Sequence, residues 1–335
     1  MRAGGINRNK IRGAVLGHIT GDALGVPAEF RSREELLHTP VTDMKGFGTH
    51  HQPAGTWSDD SSMVLATMEW FSETNTDIPD YSALMEKFGN WLLYGDYTPH
   101  GEVFDCGVST SRAIMNYGKG MDPLQCGGKT EWENGNGSLM RILPAAIWYQ
   151  ESLRNLDPAV VNVIYNISSL THGHMRSGIG CLLYAKIIAD LLADTVVDKL
   201  KALETSLRSC KRLLDASNDI GIFAEEKYYH RLWNLNYFQE LKEEQIKSSG
   251  YVVDTLEAAI WCFLNTENYK DCVLKAVNLG EDTDTVAAIA GGLAGAFYGA
   301  NEIPEEWVAI LPRLEWIEEL IELMINKKEK NISYV

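Results

Sequence analysis

Two short acidic stretches carry the residue types of a site for a hard cation. The first is "GTWSDDSSM", residues 55–63, in which Ser58, Asp59 and Asp60 put a hydroxyl beside two carboxylates. The second is "GEDTDT", residues 280–285, where Asp282, Asp284 and Thr285 repeat that chemistry. Four carboxylates and two hydroxyls suit Mg²⁺ or Mn²⁺, which prefer oxygen ligands in octahedral geometry. Residues one or two apart on a regular helix point about 100° or 200° apart around its axis. Such sets can therefore converge only at a helix start or on an irregular loop, and both stretches immediately precede apolar helical patterns.

Taken singly, each stretch is more economically a capped helix start. Ser and Asp are favoured N-caps, and acids in a first turn gain about 0.3–1 kcal/mol from the helix dipole. Two matching clusters in one chain shift the balance. A cap needs one side-chain oxygen, and four carboxylates gathered without a cation would repel. The paired reading is a metal site with Ser58, Asp59 and Asp60 as ligands, leaving Ser61 as the local cap.

Other stretches could complete such a site. "GDALGVPAEF" (21–30) contains Asp22 and, beyond Pro27, Glu29, which read alone belongs to a solvent-facing turn. "NGNGSLMR" (134–141) is a Gly/Asn loop whose backbone N–H groups suit phosphate oxygens, its plainer use being a turn and cap. "THGHMRSG" (171–178) sets His172, His174 and Arg176 at a helix start, a spacing suited to ligand contact or capping rather than zinc. Asp105 lies in the loop "GDYTPHGEVFDCG" (95–107).

The elements that must hold these residues are helical. Apolar periodicity predicts helices near 9–25, 59–74, 80–94, 108–118, 138–150, 158–170, 175–193, 197–215, 252–264, 269–278, 284–299 and 305–326. No convincing alternating strand set appears, and 216–250 is undecided, reading as two short helices. Glycines 13, 17, 21 and 25, and again 291, 295 and 299, fall four apart. Each run leaves a smooth helix stripe that another backbone can approach, which offsets the helix propensity lost at glycine. No linker divides the 335 residues, so the expectation is an all-α, single compact multi-helix bundle, one domain over 1–335, with the metals in a central cleft.

Composition narrows the partners. A net charge of −16 argues against a broad basic surface for nucleic acid. The longest uncharged small-residue run, 286–300, is too short to span a bilayer, and the opening residues lack the apolar core of a leader. Six scattered cysteines without a CxxC pair suggest a reduced, cytoplasmic protein. No nucleic-acid or membrane partner and a monomeric state are expected.

Together the stretches at 21–30, 55–63, 134–141, 171–178 and 280–299 resemble, in order and wording, the ADP-ribosylglycohydrolases, over about residues 11–299. This family includes dinitrogenase-reductase-activating glycohydrolases and ADP-ribosyl-acceptor hydrolases. The resemblance implies an all-α bundle with a dinuclear Mg²⁺ or Mn²⁺ centre. Position by position, it implies Ser58, Asp59 and Asp60 as one ligand set, and Asp282, Asp284 and Thr285 as the other. Many relatives have Thr in place of Ser58, which keeps the hydroxyl. The resemblance also gives Glu29 a role as base or substrate gate, Asp105 the general-base role proposed for the matching acid of some bacterial members, and Asp60 a catalytic as well as a ligating place. Asn136, Gly137 and Ser138 correspond to a pyrophosphate-holding loop, and His172 to a residue lining the ADP-ribose cleft. The implied activity is hydrolysis of ADP-ribose from an acceptor side chain, arginine by the flavour of the motifs, on a protein or a small conjugate. The alternatives are a catalytically silent ADP-ribose-binding module and a hydrolase of serine-linked or other ADP-ribose conjugates.

Overall fold

The computed structural model describes residues 6–74 and 79–333, so part of the opening segment searched for a leader lies outside it. Among the described residues there are seventeen α-helices, short 3₁₀ turns and no strand, only two isolated bridges. One continuous apolar cluster runs from Ile11 to Ile325 and gathers side chains from helices throughout the chain. No helix among the described residues is long and apolar enough to cross a membrane, and all six cysteines are free.

The architecture is organised by the two glycine stripes, which meet each other. Helix Arg8–Gly25 lies along helix Thr283–Tyr298. Cβ atoms built at Gly13, Gly17, Gly21 and Gly25 would lie under 3.0 Å from the backbone of Gly295, Gly291, Ala287 and Asp284 respectively. The backbones are thus in direct contact, and the zipper ends at the second acidic cluster. The same seam brings Asp22, three residues before Gly25, under the first cluster. Gly21→Ala is expected to destabilise the protein by about 2–3 kcal/mol, because the added methyl meets a backbone carbonyl that cannot swing away. Gly89→Ala, on the helix Tyr81–Tyr94 where a Cβ meets nothing within 4 Å, is expected to stabilise by about 0.5–1 kcal/mol. Urea midpoints of the two variants check the contrast.

Most predicted helices stand within two residues of their expected ends, and three departures have local causes. The expected 138–150 helix starts at Leu143, since Pro144 fits only its first turn; residues 137–141 form turns instead. The expected 305–326 helix is two, Glu305–Ala309 and Leu314–Ser333. Pro312 separates them, and Arg313 sits at φ 54°. A helix at Arg33–His38 was missed although its capping box, Ser32 with Glu35, is legible in sequence. The undecided 216–250 segment contains helices Ile220–Glu226 and Leu235–Gln239 with 3₁₀ turns between and after them.

Candidate metal centre and substrate cleft

Both acidic clusters sit at helix N-termini, and the fold brings them together. Ser58 is the N-cap of helix Asp59–Glu73, its Oγ accepting from the Asp60 N–H. This corrects the expectation that Ser61 is the cap. Ser61 instead donates its hydroxyl to Asp22 Oδ2 at 2.6 Å, and Asp22 also accepts the Ser58 and Ser61 backbone N–H groups. Asp22 is fully buried. It is a positioning residue that sequence reasoning had noted only as an acid; its place on the glycine stripe was the available signal.

Asp282 begins helix Thr283–Tyr298 after Gly280 and Glu281, at φ 80° and 64°. Reciprocal backbone bonds, Phe30 N–H to Glu281 O at 2.7 Å and Glu281 N–H to Arg31 O at 2.8 Å, tie this turn to the segment carrying Glu29. Glu29, Asp282 and Asp284 consequently offer carboxylate oxygens within 4.8 Å of one another. Thr285 Oγ1 donates to Asp60 Oδ2 at 3.2 Å, joining residues 225 apart in sequence, and Ser58 Oγ donates to the same oxygen at 3.2 Å. Asp60 Oδ1 is buried with no protein partner. Asp59 accepts from the Gly107 N–H at 3.4 Å, which draws the Asp105 loop against the site.

The electrostatics are those of a site lacking positive charge. Burial, then neighbouring carboxylates, push Asp59, Asp60 and Asp284 well above the usual carboxylate range. Burial lifts Glu29 to about 7 against the opposing hydrogen bond from His50. Asp22 rises to about 6 for the same first reason, restrained by its serine donors. Hard oxygen donors, an orphaned buried carboxylate oxygen and mutual repulsion are together what a bound divalent cation would relieve. The donor set therefore fits the group the sequence implies.

Glu29 is 6% exposed, so the solvent-facing turn expected from its local sequence is wrong. Its carboxylate is bonded to His50 Nε2, which no sequence signal marked. The His50 loop is docked on the Glu29 segment: Thr49 Oγ1 donates to Glu29 O at 2.7 Å, and Thr49 N–H to Pro27 O at 3.0 Å. Glu29, His50 and Asp105 form a second set of ligating atoms within 4.8 Å. The His50 ring contacts Phe104 and Phe30, centroids 5.2 and 5.9 Å away, and Phe30 is 70% exposed at the mouth.

The loop 134–141 closes the other side. Asn136 donates to Asp282 Oδ2 at 2.7 Å and to Thr255 Oγ1 at 2.9 Å, so its side chain orients a candidate ligand. Ser138 is fully buried, hydrogen-bonded through its hydroxyl to Ser168 at 2.9 Å. The whole residue is buried, backbone included, so it shapes the loop, and Gly137 is the accessible position of 137–139. The N–H groups of Gly137, Ser138 and Leu139 meet no protein acceptor among the described residues. A Cβ at Gly137 would run into the His172 ring and Thr110 Oγ1, so this position demands glycine. His172 is 3% exposed with its ring against this loop, whereas His174 caps helix Met175–Leu191.

With this geometry in hand, comparison with known proteins is decisive on family. A family model for ADP-ribosylglycohydrolase matches residues 5–332. The chain is 33% identical to the ADP-ribosylarginine hydrolase Tri1 of Serratia proteamaculans, over 94% of this chain and 78% of that protein. It is 29% identical to the ADP-ribosyl-[dinitrogen reductase] glycohydrolase of Rhodospirillum rubrum, over 89% of each. A solved structure titled ADP-ribosylglycohydrolase-related protein complex superposes with a TM-score of 0.76 at 27% identity, covering 96% of this chain and 99% of that one. The all-helical architecture is that of these proteins, and the chain belongs to the ADP-ribosylglycohydrolase family.

Proposed function

We propose that the protein is a metal-dependent hydrolase that cleaves the glycosidic bond between ADP-ribose and an arginine side chain, releasing ADP-ribose. The observation that carries this reading is the convergence of the two acidic clusters around the orphaned Asp60 Oδ1, with Thr285 bridging to Asp60. Ser58, Asp59, Asp60, Asp282, Asp284 and Thr285 would hold two Mg²⁺ or Mn²⁺ ions. Such ions supply Lewis acidity, orientation of ribose hydroxyls and a more acidic water.

The chain's own groups do the rest. Asn136 fixes the Asp282 carboxylate, and Asp22 fixes the start of the helix bearing Asp59 and Asp60. Glu29, bonded to His50, is placed to accept a proton and share it with the imidazole. Asp105, whose carboxyl burial also pushes upward, faces the same space from the opposite loop and is the second candidate base. The Gly137 N–H, on the accessible part of the loop, and His172 would receive the pyrophosphate, leaving the distal ribose toward the acids.

The arginine assignment is supported by the mouth of the site. Phe30, His50 and Phe104 flank the carboxylates of Glu29 and Asp105. Aromatic faces beside carboxylates suit a planar guanidinium better than a serine hydroxyl. The relatives named ADP-ribosylarginine hydrolase agree with that preference. The complete ligand set favours turnover over a silent ADP-ribose-binding module. The continuous core supports one domain, and the free thiols agree with a cytoplasmic setting.

Peptides carrying arginine-linked or serine-linked ADP-ribose, each incubated with the protein and Mg²⁺, provide the test. Free ADP-ribose is expected from the arginine conjugate at a rate at least about tenfold above the serine conjugate, a difference of about 1.4 kcal/mol in the barrier. Release from neither would remove the hydrolase reading; faster release from serine would remove only the acceptor.

A further inference from the structure

Arg141 is an anomaly of the core. It is 0% exposed, and its guanidinium bonds to no carboxylate among the described residues. Its Nη2 donates to Ile167 O at 3.1 Å and to Thr171 Oγ1 at 2.7 Å; its Nε and Nη1 have no partner, and its guanidinium lies over the Phe88 ring at 4.7 Å. Burying a guanidinium without a counter-charge is costly. A purely structural residue here would more cheaply be apolar.

The donor and acceptor rules determine what this arrangement does. A guanidinium only donates, so Thr171 Oγ1 must accept from Arg141. The oxygen has a second lone pair, but its own buried proton has no acceptor among the described residues other than His172 Nδ1, at 2.9 Å, so the hydroxyl donates there. Nδ1 must then be the accepting nitrogen, and a neutral ring carries its proton on Nε2. Nε2 takes no protein partner among the described residues, and it lies 3.4 Å from where a Cβ would stand on either Gly135 or Gly137. It therefore faces the stretch whose 137–139 N–H groups are also unpartnered. The neighbouring Gly250 carbonyl is already taken by the Asn136 N–H, so unpartnered donors remain at this spot, with an unpaired cation behind them.

We infer that Arg141 and Thr171 form a relay that locks His172 as a neutral imidazole with its proton on Nε2, presented as a hydrogen-bond donor to an anionic diphosphate in the 135–139 loop. The identity of that anion rests on the hydrolase reading above; the relay does not. Burial and the Arg141 charge both disfavour protonation of the ring, pulling His172 down to about 3, so it donates without becoming cationic. Arg141 and Thr171 are positioning residues, since they act through His172. Thr171 was passed over in the sequence because its stretch drew attention to the two histidines.

The test uses the full chain labelled with ¹⁵N-histidine, with His172 assigned from a His172→Gln variant. Wild type is expected to give an unprotonated Nδ1 and a protonated Nε2, unchanged between pH 5 and 8, windows chosen around the ordinary histidine value of about 6.5. Thr171→Val is expected to lose that bias and to weaken ADP-ribose binding by about tenfold in Kd. Thr171→Ser, which keeps the hydroxyl, is expected to restore both. A protonated Nδ1 in wild type, or unaltered ADP-ribose affinity in a folded Thr171→Val, would overturn the inference. Should Thr171→Val not fold, the wild-type nitrogen spectrum decides. Absent ADP-ribose binding by wild type with the expected nitrogen states would support the relay while removing the hydrolase reading.

Discussion

Asp60→Asn is expected to lower kcat for ADP-ribose release by about 10³-fold while leaving the metal-free protein at least as stable as wild type. The two halves of this expectation come from one geometry. Asp60 Oδ2 accepts from both Ser58 and Thr285, and Oδ1 is buried with no partner. Asparagine keeps the shape, so the Asp22 anchor of the helix start and the glycine seam are untouched. It removes an ionisable carboxyl from a pocket where burial, then Asp22, Asp59 and Asp282, make its charged form costly. Without cations that removal relieves repulsion and stabilises the fold. With cations it takes away a ligand, and losing about 4 kcal/mol of transition-state stabilisation corresponds to about 10³ in rate. Steady-state ADP-ribose release and thermal melts in chelator measure the two effects. Asp284→Asn should behave alike, because Asp284 is equally buried and faces Glu29, Asp60 and Asp282. Full turnover by both variants after exhaustive chelation would mean that these carboxylates hold no catalytic metal.

The reach of the sequence follows from which interactions are local. Helix periodicity and caps are set within a few residues, so most helices were legible, and the misplaced start at Leu143 and the break at Arg313 both trace to prolines given too little weight. The glycine runs were visible as stripes, but that 13–25 faces 284–295 is a tertiary fact no spacing contains. The two acidic clusters were legible because their chemistry is duplicated. The partners of the cluster were not: His50 meets Glu29 only because Thr49 docks on Pro27 and Glu29, and Asn136 meets Asp282 across 146 residues. Ser138 illustrates the opposite error. It lies on the loop that the motif marks, but its hydroxyl turns into the core against Ser168 and the whole residue is buried.

Cation binding should raise stability, and by more at high pH than at low. Glu29 is lifted to about 7 and Asp22 to about 6, both primarily by burial, and Asp59, Asp60 and Asp284 lie well above the usual range. Each carboxyl therefore holds a proton in the folded chain at pH values where the unfolded chain has lost it. Stability from this cluster is present at low pH and falls as pH rises through the folded values. His50, raised mainly by its bond to Glu29, acts in the same sense, its contribution fading as pH rises. The buried His18 and His172, lowered to about 4 and about 3, have the opposite sign, but their effect is confined below about pH 6.5. Above about pH 6.5 those two histidines drop out, and up to about pH 8.5 the cluster titrates in the same sense as His50 and as Glu257, which burial lifts to about 7 elsewhere in the fold. Across this window the chelated protein should lose stability, whereas Mg²⁺ at a hundred times its Kd adds about 2.7 kcal/mol per occupied site. Because cations must displace those protons, the increment at fixed Mg²⁺ should grow with pH, and titration calorimetry in buffers of different ionisation heat should register proton release. Melts with chelator and with Mg²⁺ at both ends of the window make the comparison, and Asp60→Asn should shrink the difference. An increment independent of pH would mean that Mg²⁺ binds away from these carboxylates, since displacing their protons is what couples the metal to pH.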